Sequence, residues 1–384
     1  MKNILFYYIS EISPLSGGVE RVVATQYQKL TDRGYQIYTI YGIKLNCTDC
    51  IPKQYQLPIP DRLHAKENIL FIQNFIQNNN ISLVLNFAAL FNKGSVCVVE
   101  ACKGTKVPII SVIHNTMEYL LWKLPLVRNL MKLYVGKEIL HGLLKVVHRL
   151  PFYKGGLYIY KNAAATVVLS PCYIDEYKSI ITRKASNLYS IYNPSPIKQF
   201  ENVEWDEKQP MVLFVGRLEK QKSVEKLIRI WAKLNDTSWR LCIVGSGSQE
   251  QYLKDLACKL QVSDSISFEG HQSSFPYYKN AKIFCLTSIY EGYPMTIIEC
   301  QSYGVVPVIY DSFLASHDMI TSGKDGIIVS SFVEDEYVEA LRMLMNDGNL
   351  LKSMSENSLD TARRYSVEEI IDQWVKLIEK YRLH

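Results

Sequence analysis

The sequence predicts an α/β fold made of two doubly wound, Rossmann-like parallel-sheet domains in tandem, and three observations carry that expectation. Short apolar runs alternate with helix-length amphipathic stretches through most of the 384 residues, as when a parallel sheet is covered by helices on both faces. The alternation pauses once, over residues 198–210, and then restarts. Glycine-bearing turns recur where predicted strands hand over to predicted helices.

Taken in order, residues 2–9 read as a buried strand, residues 18–33 as a helix with Val22, Val23, Tyr27 and Leu30 facing inward, and residues 35–40 as the next strand. Residues 81–87, 107–114 and 165–170 continue the series. The pause holds Glu201, Glu204, Asp206, Glu207 and Pro210, the composition of a linker. Strands are then predicted at residues 211–215, 240–244, 265–268, 283–286, 306–310 and 326–330. Val367, Ile370, Ile371, Trp374, Leu377 and Ile378 fall at helical spacing, so the chain is expected to end in a helix packing across the domain junction. The expected domains are residues 1–205 and 206–365, with residues 366–384 as that last helix. Such sheets bind ligands at the carboxyl ends of their strands, and two of them facing each other would define one deep cleft.

Composition narrows the class. Hydrophobic residues at 48% and charged residues at 21% exclude a disordered or collagen-like chain, and the length excludes a disulfide-stapled mini-protein. The sequence has no apolar run of the ~20 residues that span a bilayer, and its first residues turn polar too soon for a signal peptide. A cytoplasmic protein is expected. The nine cysteines, scattered from Cys47 to Cys300, read as thiols. Cys47-Thr48-Asp49-Cys50 is the one CxxC pair, with no second pair to complete a zinc shell.

The net charge of +5 is unevenly placed. Between Tyr119 and Lys161 stand Lys123, Arg128, Lys132, Lys137, Lys145, Arg149, Lys154 and Lys161 against Glu138 alone, which leaves the remainder weakly acidic. Interleaved with leucine and tyrosine, these cations suit an anionic membrane surface, and they would place the protein peripherally on the inner face of the plasma membrane. A basic helix packed on the core is the alternative reading. No nucleic-acid motif accompanies the cations, so nucleic acid is not an expected partner.

Four turns could carry chemistry. Ser16-Gly17-Gly18-Val19-Glu20-Arg21 opens the first helix, where backbone amides and the helix dipole can receive an anion. Val215-Gly216-Arg217-Leu218, with Lys222 close behind, offers a planar fork and a mobile point charge suited to a diphosphate. Val244-Gly245-Ser246-Gly247-Ser248 opens another helix. In Tyr290-Glu291-Gly292-Tyr293-Pro294-Met295 a carboxylate precedes a predicted helix that carries Glu299, and the two acids could accept hydrogen bonds from sugar hydroxyls. His114 ends a strand of the first domain. Each feature also has an ordinary reading as a turn, a solvated charge or a structural histidine.

Taken together, these residues resemble the retaining glycosyltransferases of the family-4 type, which adopt the GT-B fold. The resemblance is carried by Val215-Gly216-Arg217-Leu218 with Lys222, by Gly245-Ser246-Gly247, and above all by the run from Ser288 to Cys300, which is similar to the family's E-x7-E motif. It is dense over residues 211–330 and thinner in the first half, where Gly17, Gly18 and His114 are the matching points. It implies that Arg217, Lys222 and Gly216 hold the diphosphate of a nucleotide sugar, uridine diphosphate ahead of guanosine diphosphate. Glu299 would accept from the ribose, while Glu291, Gly292 and amides near Met295, Thr296 and Ile297 would hold the donor sugar. Gly245 and Gly247 would belong to the donor site, His271 to the base-contacting turn, Gly17 and Gly18 would close over the phosphate, and His114 would lie by the sugar. Catalytic roles fall to Glu291, His114, Arg217 and Lys222. Two departures stand out: Ser223 replaces the glycine usual after the lysine, and Cys300 replaces the usual alanine.

With no DxD triplet in the sequence, neither a metal nor any other cofactor is expected. The resemblance implies a hexose or N-acetylhexosamine passed to a glycan acceptor, expected to be joined to a polyprenyl lipid, in surface polysaccharide assembly. A catalytically silent binding subunit of a glycosyltransferase complex is the alternative. A nicotinamide dehydrogenase, suggested by Gly245-x-Gly247, fails because Glu250 occupies the last glycine position of G-x-G-x-x-G.

Overall fold

The structure is a computed structural model that describes residues 2–14, 17–45, 49–88, 93–114, 151–180, 186–197, 204–236 and 238–383, with backbone only at 151–154, 179 and 180. Residues 115–150, which hold most of the basic segment, lie outside the described residues. The chain divides into two compact units, Met1–Pro196 with Val367–His384, and Ile197–Ser366.

In the first unit the strands are β1 (Asn3–Ser10), β2 (Gln36–Ile43), β3 (Gln54–Gln56), β4 (Leu83–Asn86), β5 (Ile109–Ile113), β6 (Ala165–Val168) and β7 (Leu188–Ser190). They form a parallel sheet in the order β3-β2-β1-β4-β5-β6-β7. Around it lie α1 (Gly18–Asp32), α2 (Lys66–Asn78), α3 (Lys93–Thr105), α4 (Pro151–Asn162) and α5 (Pro171–Ile180). The second unit has β8 (Met211–Val215), β9 (Arg240–Val244), β10 (Ile266–Gly270), β11 (Ile283–Leu286), β12 (Val306–Tyr310) and β13 (Ile327–Val329), ordered β10-β9-β8-β11-β12-β13 and also parallel. Its helices are α6 (Val224–Leu234), α7 (Glu250–Lys259), α8 (Phe275–Asn280), α9 (Met295–Ser302), α10 (Ser316–Met319), α11 (Glu334–Asn346) and α12 (Gly348–Ala362).

Burial explains the strand sequences. The central strands β4, β11 and β12 are buried at every position and are almost wholly apolar, as strands covered on both faces must be. The edge strand β3 is Gln54-Tyr55-Gln56 and is largely exposed. In α6 the buried Val224, Leu227, Ile228, Trp231 and Leu234 make one stripe facing the sheet.

The chain returns to the first unit with α13 (Val367–Tyr381). Its Ile370, Ile371, Trp374 and Ile378 enter the core formed by Phe6, Val23, Tyr27 and Phe87, and the Trp374 and Phe87 rings lie 6.3 Å apart. Lys29 of α1 and Arg33 just after it pair with Glu368 at 2.8 and 3.2 Å on the surface of that contact. Exposed pairs of this kind contribute about 0–1 kcal/mol, so the apolar stripe holds the helix. Cys50 is disulfide-bonded, which corrects the expectation that all nine cysteines are thiols; an odd, scattered set leaves room for a single bonded pair. Cys97, Cys102, Cys242, Cys258, Cys285 and Cys300 are free thiols.

Because Trp374 is 1% exposed, Trp374→Ala is expected to destabilise the first unit by about 3–5 kcal/mol, the usual range for a large core truncation. Urea unfolding followed by tryptophan-independent circular dichroism measures this, and a loss below about 1 kcal/mol would mean that α13 is not part of the core.

Candidate active site

The strand order reverses direction between β8 and β11, which are hydrogen-bonded neighbours. At such a switch point the loops leaving the carboxyl ends of two adjacent strands diverge and leave room for a ligand. Here those loops are residues 216–223 and 287–294, and they are tied together. The Ile289 amide donates to the Gln221 carbonyl at 2.8 Å, and the Gln221 side-chain amide donates to the Tyr290 carbonyl at 2.9 Å. The Thr287 hydroxyl reaches the Lys222 and Ser223 carbonyls, each at 3.2 Å.

This lacing brings two of the expected site residues into direct contact. The Lys222 ammonium meets the Glu291 carboxylate at 2.5 Å, with 14% and 8% of the two side chains exposed. Arg217 stands on the same loop with its side chain exposed. Next to it, two hydrogen bonds from Ser248 and then the Arg217 charge hold the Glu219 carboxyl below the usual carboxylate range. Gly292, Met295, Thr296 and Ile297 follow Glu291 into the first turn of α9, whose amide ends point out of the helix toward that loop. Glu299, in the second turn, is 4% exposed and accepts a hydrogen bond from the Tyr278 hydroxyl at 3.0 Å. The buried hydroxyls of Ser288 and Thr296 find no partner among the described residues. Ser288 was not picked out from the sequence as a site residue; its place at the end of β11 is the signal that could have marked it.

Gly216, Gly245 and Gly247 are brought together for a packing reason. Gly245 has φ +140, and a Cβ there would lie 1.9 Å from the Gly216 carbonyl oxygen; one at Gly247 would lie 2.5 Å from the Leu218 carbonyl oxygen. The Gly216 and Leu218 amides donate to the Val244 and Ser246 carbonyls at 3.0 and 2.9 Å. Only bare backbone permits this approach. Ser223 has φ 49, in the left-handed region. That explains the glycine usual at this place in the resembling family, and the serine bears a strain of about 1–2 kcal/mol. His271 lies exposed in the turn after β10.

In the first unit, Gly17 and Gly18 lie at the start of α1, following β1, and His114 follows β5. The residue at 114 is partly exposed, yet both ring nitrogens are shut from solvent and have no partner among the described residues, and the ring stacks on Phe87 at 6.0 Å. Burial pushes its pKa down to about 4. The imidazole is therefore neutral near pH 7, able to exchange hydrogen bonds but not to supply a proton. Among the described residues no group of three or more His, Cys, Asp or Glu is placed to hold a metal ion.

Residues 197–361 match the sequence model of the family described as Glycosyl transferases group 1. The second unit belongs to this family. An uncharacterised glycosyltransferase of Haemophilus influenzae is 31% identical over 195 residues, covering 50% of this chain and 55% of that protein. The amylovoran biosynthesis glycosyltransferase AmsD of Erwinia amylovora is 28% identical over 195 residues, covering 49% and 55%. A Campylobacter jejuni enzyme named as an α-1,4-N-acetyl-D-galactosaminyltransferase acting on a diNAcBac-PP-undecaprenol glycan is 27% identical over 180 residues, covering 46% and 50%. The chain thus spans about half the length of the curated relatives it matches. Among solved structures, the apo form of the lipopolysaccharide outer core galactosyltransferase WaaB aligns with TM-score 0.73 at 19% identity over 98% of this chain and 99% of that one. Anabaena Alr3699/HepE in complex with UDP aligns with TM-score 0.76 at 14% identity over 98% and 100%. The fold of both units is thus the GT-B fold of these structures.

Two outcomes are expected. Gly245→Ala should destabilise the glycosyltransferase unit by about 3 kcal/mol or more, since the clash is with backbone that cannot yield; denaturant midpoints report it, and wild-type stability would mean that the two loops do not touch. Because the folded His114 binds its proton less tightly than the unfolded one, its contribution is complete above about pH 6.5 and is lost as the pH falls toward about 4. That loss amounts to about 3 kcal/mol, and His114→Gln should remove it from the pH dependence of unfolding.

Proposed function

We propose that this chain is a retaining hexosyltransferase. It moves a hexose or N-acetylhexosamine from a nucleotide diphosphate sugar, with uridine diphosphate favoured, to a hydroxyl of a glycan acceptor. The acceptor is lipid-linked, and the product belongs to a bacterial surface polysaccharide. The observation that carries the reading is the meeting of Lys222 and Glu291 at the switch point of the second sheet, where this fold class receives its ligands.

Breaking the bond between the anomeric carbon and phosphate puts negative charge on the departing diphosphate and positive character on the sugar ring. Lys222, Arg217 and the first-turn amides of α9 stabilise the first, and they do so more strongly in the transition state than in the bound donor. Glu291 and the hydroxyls of Ser288 and Thr296 supply hydrogen-bonding groups for the sugar. The leaving phosphate takes the proton of the acceptor hydroxyl on the same face, so configuration is retained. The names of AmsD and of the Campylobacter jejuni enzyme support surface-glycan assembly and a polyprenol-linked acceptor, and the HepE complex supports a uridine nucleotide. Among the described residues no helix is long and apolar enough to cross a membrane. The basic segment between Tyr119 and Lys161 would supply the contact with the inner face of the plasma membrane.

The purified chain, given radiolabelled nucleotide sugars and lipid-linked acceptor extract, is expected to transfer label by itself; a silent binding subunit would not. Arg217→Ala is the cleaner test of the site. Its side chain is exposed, so stability should stay within about 0.5 kcal/mol while turnover falls about 10²–10³-fold. Lys222→Ala should lose turnover as well, but it strands Glu291 and should destabilise by about 3–5 kcal/mol. Near-normal turnover of Arg217→Ala and Lys222→Ala overturns the diphosphate role.

A further inference from the structure

Glu299 comes from a helix, but what fixes its carboxylate comes from elsewhere in the second unit. Tyr278 lies on α8, 0% exposed, and its hydroxyl donates to Glu299 Oε2 at 3.0 Å. The Tyr278 ring stacks on Tyr303 with centroids 6.1 Å apart and planes 12° apart, and it rests against Phe284 of β11, also at 6.1 Å. A helix of six residues has little stability of its own. The end of this one is held by Lys208, a 5% exposed side chain whose ammonium donates to the carbonyls of Tyr278 at 3.2 Å, Lys279 at 3.3 Å and Ala281 at 2.7 Å. Ring packing and the capped helix end both set where the phenol stands.

We infer that Tyr278 is the positioning residue for Glu299, orienting its carboxylate to receive the ribose hydroxyls of the nucleotide. The inference rests on the proposed function. A free glutamate side chain loses up to about 2 kcal/mol of rotamer freedom when a ligand orders it, and a donor already fixed on one oxygen removes much of that loss before the ligand arrives. Tyr278 touches no substrate in this scheme. Its effect should therefore be confined to ligands that carry the ribose hydroxyls.

The experiment is calorimetric titration of the full chain with UDP and with 2′,3′-dideoxy-UDP, with GDP and its dideoxy form run alongside. The wild type is expected to bind the dideoxy nucleotide about tenfold more weakly. Tyr278→Phe keeps the ring, should bind the ribonucleotide about tenfold more weakly, and should show little further loss with the dideoxy form. Glu299→Gln serves as the second variant, and it should show the same loss of discrimination whether or not Tyr278→Phe folds. Unchanged binding by Tyr278→Phe, an equal loss with both nucleotides, or undiminished discrimination by Glu299→Gln overturns the inference. A folded wild type that binds neither UDP nor GDP overturns the functional reading beneath it.

Discussion

Taking a lysine ammonium and a glutamate carboxylate out of water carries a penalty of several kcal/mol for each ion. At 14% and 8% exposure, Lys222 and Glu291 have lost most of their solvent. Their contact at 2.5 Å offsets the penalty only while both partners stay in place. The loops after β8 and β11 are thus bound to each other electrostatically as well as through the Gln221, Ile289 and Thr287 hydrogen bonds. Either loop displaced alone would strand a charge.

In the proposed reaction the same pair would keep the site stable before the donor arrives. With no anion present, the ammonium and the carboxylate neutralise each other in a place that would otherwise hold a single uncompensated charge. In the proposed reaction a diphosphate offers Lys222 a more highly charged partner, and Glu291 turns to the hydroxyls of the sugar that arrives with it. Recognition of the two ends of the donor would thereby be linked, because a phosphate that drew the lysine away would also release the acceptor of the sugar. Arg217, exposed on the same loop, adds charge without entering the buried pair.

Much of this was legible in the sequence for a physical reason. Central strands are covered on both faces, so β1, β4, β8, β11 and β12 show as apolar runs. The edge strands β3 and β7 are three residues each and only partly buried, and nothing in Gln54-Tyr55-Gln56 or Leu188-Tyr189-Ser190 marks them. Gly245 and Gly247 stand out in the sequence as a turn opening a helix, but the structure gives them a packing role against Gly216 and Leu218, which depends on where two distant loops meet. The departure at Ser223 was visible; its left-handed backbone, the reason a glycine is usual there, was not. Tyr278 and Glu299 are separated by 21 residues and belong to different helices, so no local pattern announces their hydrogen bond.

That hydrogen bond separates the two acids of the E-x7-E run. Glu291 sits on a loop and is matched to a cation, so it is free to change partners when a stronger anion claims the lysine. Glu299 sits on the second turn of α9 and is matched to a neutral phenol held by ring packing, which no anion can draw away. In the proposed reaction one group would respond to the arriving donor and the other would already be in place for it, and the sequence spacing of the two glutamates puts one on the loop after a central strand and the other in the body of a helix.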